Sequence, residues 1–150
     1  MTHALWFLNT RVDVRRSSHE GPDRVCVLEH TLPFGDSPPT HRHDNEDEIF
    51  HLVSGAIRFR IGDRTVELRP GETTVGPKGV PHAFTVTSPE GARMITVTIG
   101  HDFEDMIREV ARPAETAGLP PAMTPSPAMQ AALAEATLRH DIELVGPPLG

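Results

Sequence analysis

Twelve glycines and fifteen prolines in 150 residues break the first hundred positions into short extended runs, and this limits the fold more than any other feature. The runs "RVCVLEHTL" (24–32), "EIFHLV" (48–53), "AIRFRI" (56–61), "RTVELR" (64–69), "HAFTVT" (82–87) and "RMITVTI" (93–99) are rich in β-branched residues or alternate with period two. Turn signals such as Ser54-Gly55, Gly62-Asp63 and Pro70-Gly71 separate them. Many short strands at this spacing predict an all-β fold, an antiparallel sandwich or barrel, with no helix needed before residue 100.

The character changes after residue 100. "HDFEDMIREVARP" sets Phe103, Met106, Ile107 and Val110 at helical spacing, with Asp102 placed to cap the start and Pro113 to stop the end. Residues 113–127 form a proline-rich linker, and "SPAMQAALAEATLRH" follows, with Ser126 as N-cap and Pro127 at the first helical position. The final "DIELVGPPLG" suits a short strand or an extended tail. One domain over 1–150 is expected, with a barrel core at about 24–100 and a helical, proline-rich extension at 101–150; a chain 37% hydrophobic can bury such a core.

A formal net charge of -7 gives no general attraction for nucleic-acid phosphates or anionic lipid, so neither partner is expected. Cys26 is the sole cysteine, which excludes an intrachain disulfide framework and a multi-cysteine zinc site. "MTHALWFLNTRVDVRR" has too short an apolar run for a secretory signal or a span, and a cytoplasmic location is expected. With Lys78 as the only lysine and no tyrosine, the composition suits a high-GC bacterial genome.

The approach to the second run, "PPTHRHDNEDEIFHLVSG", gathers potential ligands. If residues 40–44 are extended, His41 and His43 point to one face. Glu48 shares the face of Phe50 and Leu52, so a charge looks toward the core and needs a partner. A divalent metal held by two imidazoles is such a partner. His82 offers a further ligand: it leads a run in which Phe84 and Val86 share its face, behind turns at Gly71 and Gly79 and stiffening prolines at 77 and 81.

With these residues in place the sequence resembles the cupin superfamily. The first cupin motif, G(X)5HXH(X)3-4E(X)6G, is met by Gly35, His41, His43, Glu48 and Gly55. The second, G(X)5PXG(X)2H(X)3N, is met by Gly71, Pro77, Gly79 and His82, with Val86 standing where the older consensus has Asn. A chance match at nine fixed positions is roughly one in 10⁵ or rarer at average residue frequencies. The resemblance implies a conserved β-barrel of the double-stranded β-helix or jelly-roll type, with His41, His43, Glu48 and His82 as a three-His, one-Glu site for Fe, Ni, Co, Mn or Zn. It also implies a homodimer. The segment before the barrel looks like an N-terminal strand extension, and the helical tail resembles small single-domain cupins of the quercetin dioxygenase-like group; "ALWFLNTRVDV" is apolar enough to pair with a sheet edge, such as one in the partner subunit, with Trp6 or Phe7 as anchor.

Three imidazoles and one carboxylate leave an octahedral metal two open positions, enough for a chelating enol or phenolate with dioxygen or water. The expected function is therefore a metal-dependent, dioxygenase-like enzyme on a small cyclic enol or phenol, with Glu48 as ligand or as the base that takes the substrate proton. The alternatives are a redox-neutral polyketide cyclase or isomerase, and a non-catalytic small-molecule-binding cupin. Phe50, Leu52, Phe59, Phe84 and Ile95 are the expected bulky pocket wall, with Ile57 and Val97 in the core. His51 falls on the face opposite Glu48. Asp44, Glu46 and Asp47 read as a solvated loop, with Asp47 the substitute carboxylate. His30 and Cys26 share a face whose orientation the sequence leaves open, and His3, His19, His101 and His140 carry no assigned role.

Overall fold

A computed structural model describes residues 2–150. In chain order the elements are β1 (Ala4–Phe7), β2 (Thr10–Arg16), β3 (Val25–Leu32), β4 (Pro39–His43), β5 (Glu48–Ser54), β6 (Ile57–Ile61), β7 (Arg64–Leu68), β8 (Thr73–Gly76), β9 (His82–Val86), β10 (Ala92–Ile99), α1 (Asp102–Val110), β11 (Arg112–Pro113), α2 (Pro127–Arg139) and β12 (Ile142–Pro148). The strands form a seven-stranded sheet, β11-β1-β2-β3-β10-β5-β8, and a five-stranded sheet, β12-β4-β9-β6-β7. Every pairing between them is antiparallel.

Alternation along the strands decides what the sheets bury. In β6, Ile57, Phe59 and Ile61 turn inward while Arg58 and Arg60 face water; in β5, Phe50 and Leu52 join them from the opposite sheet. Phe50 packs on Phe59 and Phe59 on Phe84, with ring centroids 4.7 and 5.5 Å apart. Removing that aromatic area from water is the main drive for closing the two sheets.

β10 corrects one expectation of parity. Met94, Thr96 and Thr98 are its inward residues, while Ile95 and Val97 lie half-exposed on the outer surface. Ile95 is therefore not a pocket residue and Val97 is not in the barrel core: an apolar run is ambiguous about its inner face, and here two threonines and a methionine hold that side.

A second apolar cluster joins β1, β2 and β3 to α1 and β12 through Leu5, Val12, Leu28, Met106, Ile107 and Ile142. The N-terminal segment closes on its own chain, because β2 and β11 take both edges of β1. Trp6 is buried there; its indole donates to the Gly118 carbonyl at 2.9 Å, and the Arg112 guanidinium lies 5.0 Å from the ring centre. The C-terminal decapeptide is strand rather than tail: β12 pairs with β4 and so extends the barrel sheet beyond residue 100.

α2 begins as expected, with Pro127 in the first turn and the Ser126 hydroxyl accepting from Met129 N at 3.2 Å. α1 does not. Asp102 is not its cap; its carboxylate accepts from the Asn45 amide instead, at 3.2 Å, and the orphan N–H of Phe103 donates 3.0 Å to the carboxylate of Glu46, a residue remote in sequence.

Candidate metal centre

His41 and His43 lie on β4, two positions apart, so their rings share a face. His82 opens β9 and is paired with His41 across the five-stranded sheet. Glu48 opens β5 in the other sheet. The four ligand atoms lie within 4.8 Å of one another, so the group joins the two sheets at one end of the barrel.

Two of the three imidazoles are held by their other nitrogen. His41 Nδ1 donates to the Pro39 carbonyl at 2.9 Å and His82 Nδ1 to the Val80 carbonyl at 3.1 Å. A carbonyl only accepts, so both rings present an unprotonated Nε2 when neutral. The Nε2 atoms of His43 and His82 each approach the same oxygen of Glu48 to 3.2 Å. Gly76 stands behind His82: a β-carbon there would meet Nδ1 at 3.1 Å, so the residue opposite Glu48 on β8 must be small.

Both ring nitrogens of His43 are buried without a hydrogen-bond partner among the described residues. Unpaired buried nitrogens are costly, and a cation accepting the lone pair of Nε2 removes that cost. The electrostatics agree. Burial opposes the charge on Glu48, but His43 and His82 outweigh it and hold the carboxyl well below its usual range. Burial, together with the neighbouring His82 and His43, drives His41 down to about 3, so its imidazole is neutral. His43 goes the other way: against burial, Glu48 and Glu46 lift it to about 9. A buried carboxylate and three convergent imidazoles fit a divalent transition metal. His41, His43, Glu48 and His82 would hold it.

Residues 28–98 match the family described as cupin domain. This stretch of the chain is a cupin domain. Solved structures share the fold. KdgF from Halomonas sp. is 19% identical, with a TM-score of 0.56 over 64% of this chain and 84% of its own. A predicted oxalate decarboxylase from Thermotoga maritima is 21% identical, with a TM-score of 0.56 over 60% of this chain and 79% of its own. Bacillus subtilis oxalate decarboxylase, a protein with Mn(II) centres, is 21% identical, with a TM-score of 0.58 over 67% of this chain and 28% of its own. No curated protein sequence matches the chain.

The cupin domain's metal group opens into one cavity of about 850 Å³, which His41 and Glu48 reach while α1, the 113–126 linker and α2 supply part of its wall. Of the expected pocket wall, Phe50 and Phe84 line this space. Leu52 and Phe59 do not; they are fully buried in the barrel core. Ile95 is absent from it for the reason of parity given above. His51 faces away and bonds Thr73 Oγ1 at 2.8 Å through Nδ1. Val86, in the place of the consensus Asn, is completely buried in the core and reaches no ligand.

Two wall or support residues, Glu46 and Asp36, escaped the sequence reading, which left the orientation of a third, His30, open. Glu46 lies in the loop between β4 and β5 but is not solvated: it is 2% exposed, 3.9 Å from His43 Nδ1. Its neighbours Asp44 and Asp47 are exposed, and Asp47 accepts from Lys78 N at 2.9 Å, so it cannot stand in for Glu48. His30 faces the cavity, bonded to Thr96 Oγ1 at 2.9 Å, and burial lowers it to about 4. Asp36 also faces the cavity, with burial lifting its carboxyl to about 6. The same-strand parity that tied His30 to Cys26 was the available signal. Cys26 itself packs in the second apolar cluster, its thiol pushed up to about 12 by burial, and lines no pocket.

Proposed function

We propose that the protein is a metal-dependent enzyme of the dioxygenase type, in the quercetin dioxygenase-like group, acting on a small, neutral, largely apolar enol or phenol. The observation that carries the reading is the union of a three-His, one-Glu group with a large cavity whose wall, among the described residues, contains no Arg or Lys. A dianion such as oxalate needs cationic partners, which this wall does not offer. An aromatic body packs well against Phe50, Phe84 and Phe103.

A divalent metal held there would supply Lewis acidity and open positions for an enolate oxygen and for dioxygen. His41, neutral because it is buried, keeps its lone pair directed at the centre. Glu48 both belongs to the ligand group and borders the cavity, which places it to take the proton of a substrate hydroxyl. The apolar wall excludes water around that transfer.

Asp36 favours a second reading, a redox-neutral cyclase or isomerase, since a cavity carboxyl lifted to about 6 suits proton transfer near neutral pH. One experiment separates them. The metal-free protein is loaded in turn with Fe, Mn, Ni, Co and Zn and given 3-hydroxyflavone or oxalate in an oxygen electrode. Oxygen uptake with the flavonol and a redox-active metal, and none with oxalate, supports the dioxygenase reading. Conversion of the flavonol without oxygen uptake, zinc included, selects the redox-neutral one, and conversion of oxalate removes both. Binding without conversion by any metal form would make the protein a small-molecule binder. The same reading includes a cytoplasmic homodimer, and light scattering that returns a monomer mass removes the dimer.

A further inference from the structure

Apart from the metal group, the cavity wall carries a largely buried imidazole with one ring nitrogen open to the cavity. His30 is only 7% exposed. Its Nε2 meets Thr96 Oγ1 at 2.9 Å, and its Nδ1 has no partner among the described residues. The ring stands on the inner face of β3, across β10 from the strand that carries Glu48. Two strand spacings separate β3 from β5, about 10 Å. Phe103 lies between the two polar regions, its ring centroid 6.2 Å from His30 and 5.3 Å from His43.

We propose that His30, set by Thr96, is a second anchoring point for the substrate, which is therefore a mostly apolar molecule carrying a hydroxyl or carbonyl well away from the oxygen presented to His41 and Glu48. This rests on the reading of the cavity as a site for enols or phenols. The chemistry of the pair allows either polar group. A threonine hydroxyl rotates freely: when it donates to Nε2, Nδ1 carries the proton and donates to a carbonyl. When it accepts from Nε2, Nδ1 is bare and accepts from a hydroxyl. Burial favours the neutral ring that this exchange requires. Nδ1 is open to the cavity, so a polar group of the substrate can make there the bond that the protein leaves unmade.

The test is anaerobic calorimetry on the zinc-loaded protein with two probes, 3-hydroxyflavone, which has only the chelating pair, and quercetin, which adds remote hydroxyls. The wild type should bind quercetin about tenfold more tightly, the worth of one well-made hydrogen bond. His30→Phe should bring the two probes within about twofold while metal content and affinity for 3-hydroxyflavone hold. His30→Gln should restore part of the preference, which a merely structural role would not produce. Should His30→Phe lose its metal or its fold, Thr96→Val serves in its place and should cut the preference severalfold. Equal binding of both probes by the wild type, or an undiminished preference in the variants, overturns this inference and leaves the proposed function standing. Failure of both probes to bind the loaded wild type overturns the two together.

Discussion

His43 and Glu46 face one another inside the barrel, Nδ1 3.9 Å from Oε1, with 1% and 2% of their surfaces exposed. The same Glu46 oxygen accepts a free N–H in the first turn of α1, from Phe103, at 3.0 Å. One carboxylate thus supports a metal-ligand ring and starts the helix that walls the cavity. Gly100 makes the arrangement possible: with φ at +144°, it leaves room where a β-carbon would lie 2.4 Å from Glu46 Oε2.

Glu46 should matter to metal binding without being a ligand. Outer carboxylates hydrogen-bonded to a ligand ring are typically worth 10- to 100-fold in affinity, and at 3.9 Å Glu46 acts by charge alone, at the lower end of that range. Glu46→Gln keeps an acceptor for Phe103 but loses the charge, so metal affinity should fall by about tenfold with little change in stability. Glu46→Ala should add about 1 kcal/mol of destabilisation from the lost cap. Competition titration with a chromophoric chelator and urea unfolding measure the two effects separately.

The ligand group predicts a sharp contrast among histidines. His43→Ala or His82→Ala should reduce metal content from about one equivalent to a small fraction, because each removes one of four donors. His51→Ala, whose ring faces Thr73 on the outer side, should leave metal content at the wild-type level. Elemental mass spectrometry on protein purified without chelators gives the answer, and equal losses in all three variants would refute the site.

Stability in acid should depend on Glu104. Burial resists its charge, yet the hydroxyls of Ser17 and Ser18, the Ser18 N–H and Arg108 bring it down from 4.5 to about 2. A depressed carboxyl stabilises the fold above its unfolded pKa, and the contribution disappears as pH falls from 4.5 toward 2. The full contribution is on the order of 3 kcal/mol. Glu104→Gln should therefore be less stable than wild type at pH 6, with the gap closing by pH 2; urea midpoints across that range would show it.

Asn9 pins the linker that roofs the cavity. Its amide donates to the Met123 carbonyl and its carbonyl accepts from Met123 N, both at 2.8 Å. Asn9→Ala removes both bonds but touches neither apolar cluster. Limited proteolysis should cut residues 114–126 several times faster in the variant, while the melting temperature moves by no more than a few degrees.

Local pattern alone was enough for much of this protein. Alternation and turn residues placed β3, β5, β6, β7, β9 and β10 to within a residue or two, and the spacing of His41, His43, Glu48 and His82 named a ligand group that the fold gathers within 4.8 Å. A strand's period of two and a turn's need for glycine are short-range facts, legible in a few consecutive residues. Tertiary structure decided the rest. Which face of β10 turns inward depends on what the opposite sheet supplies, so Met94 and Thr96 took the side expected for Ile95. Whether an acid in "DNEDE" is solvated depends on where a helix 57 residues later begins, so Glu46 is buried and Asp47 is not. The polar anchor at His30 exists only because β10 brings Thr96 beside it. Contacts between residues distant in the chain leave no local periodicity, and only the closed barrel brings them together.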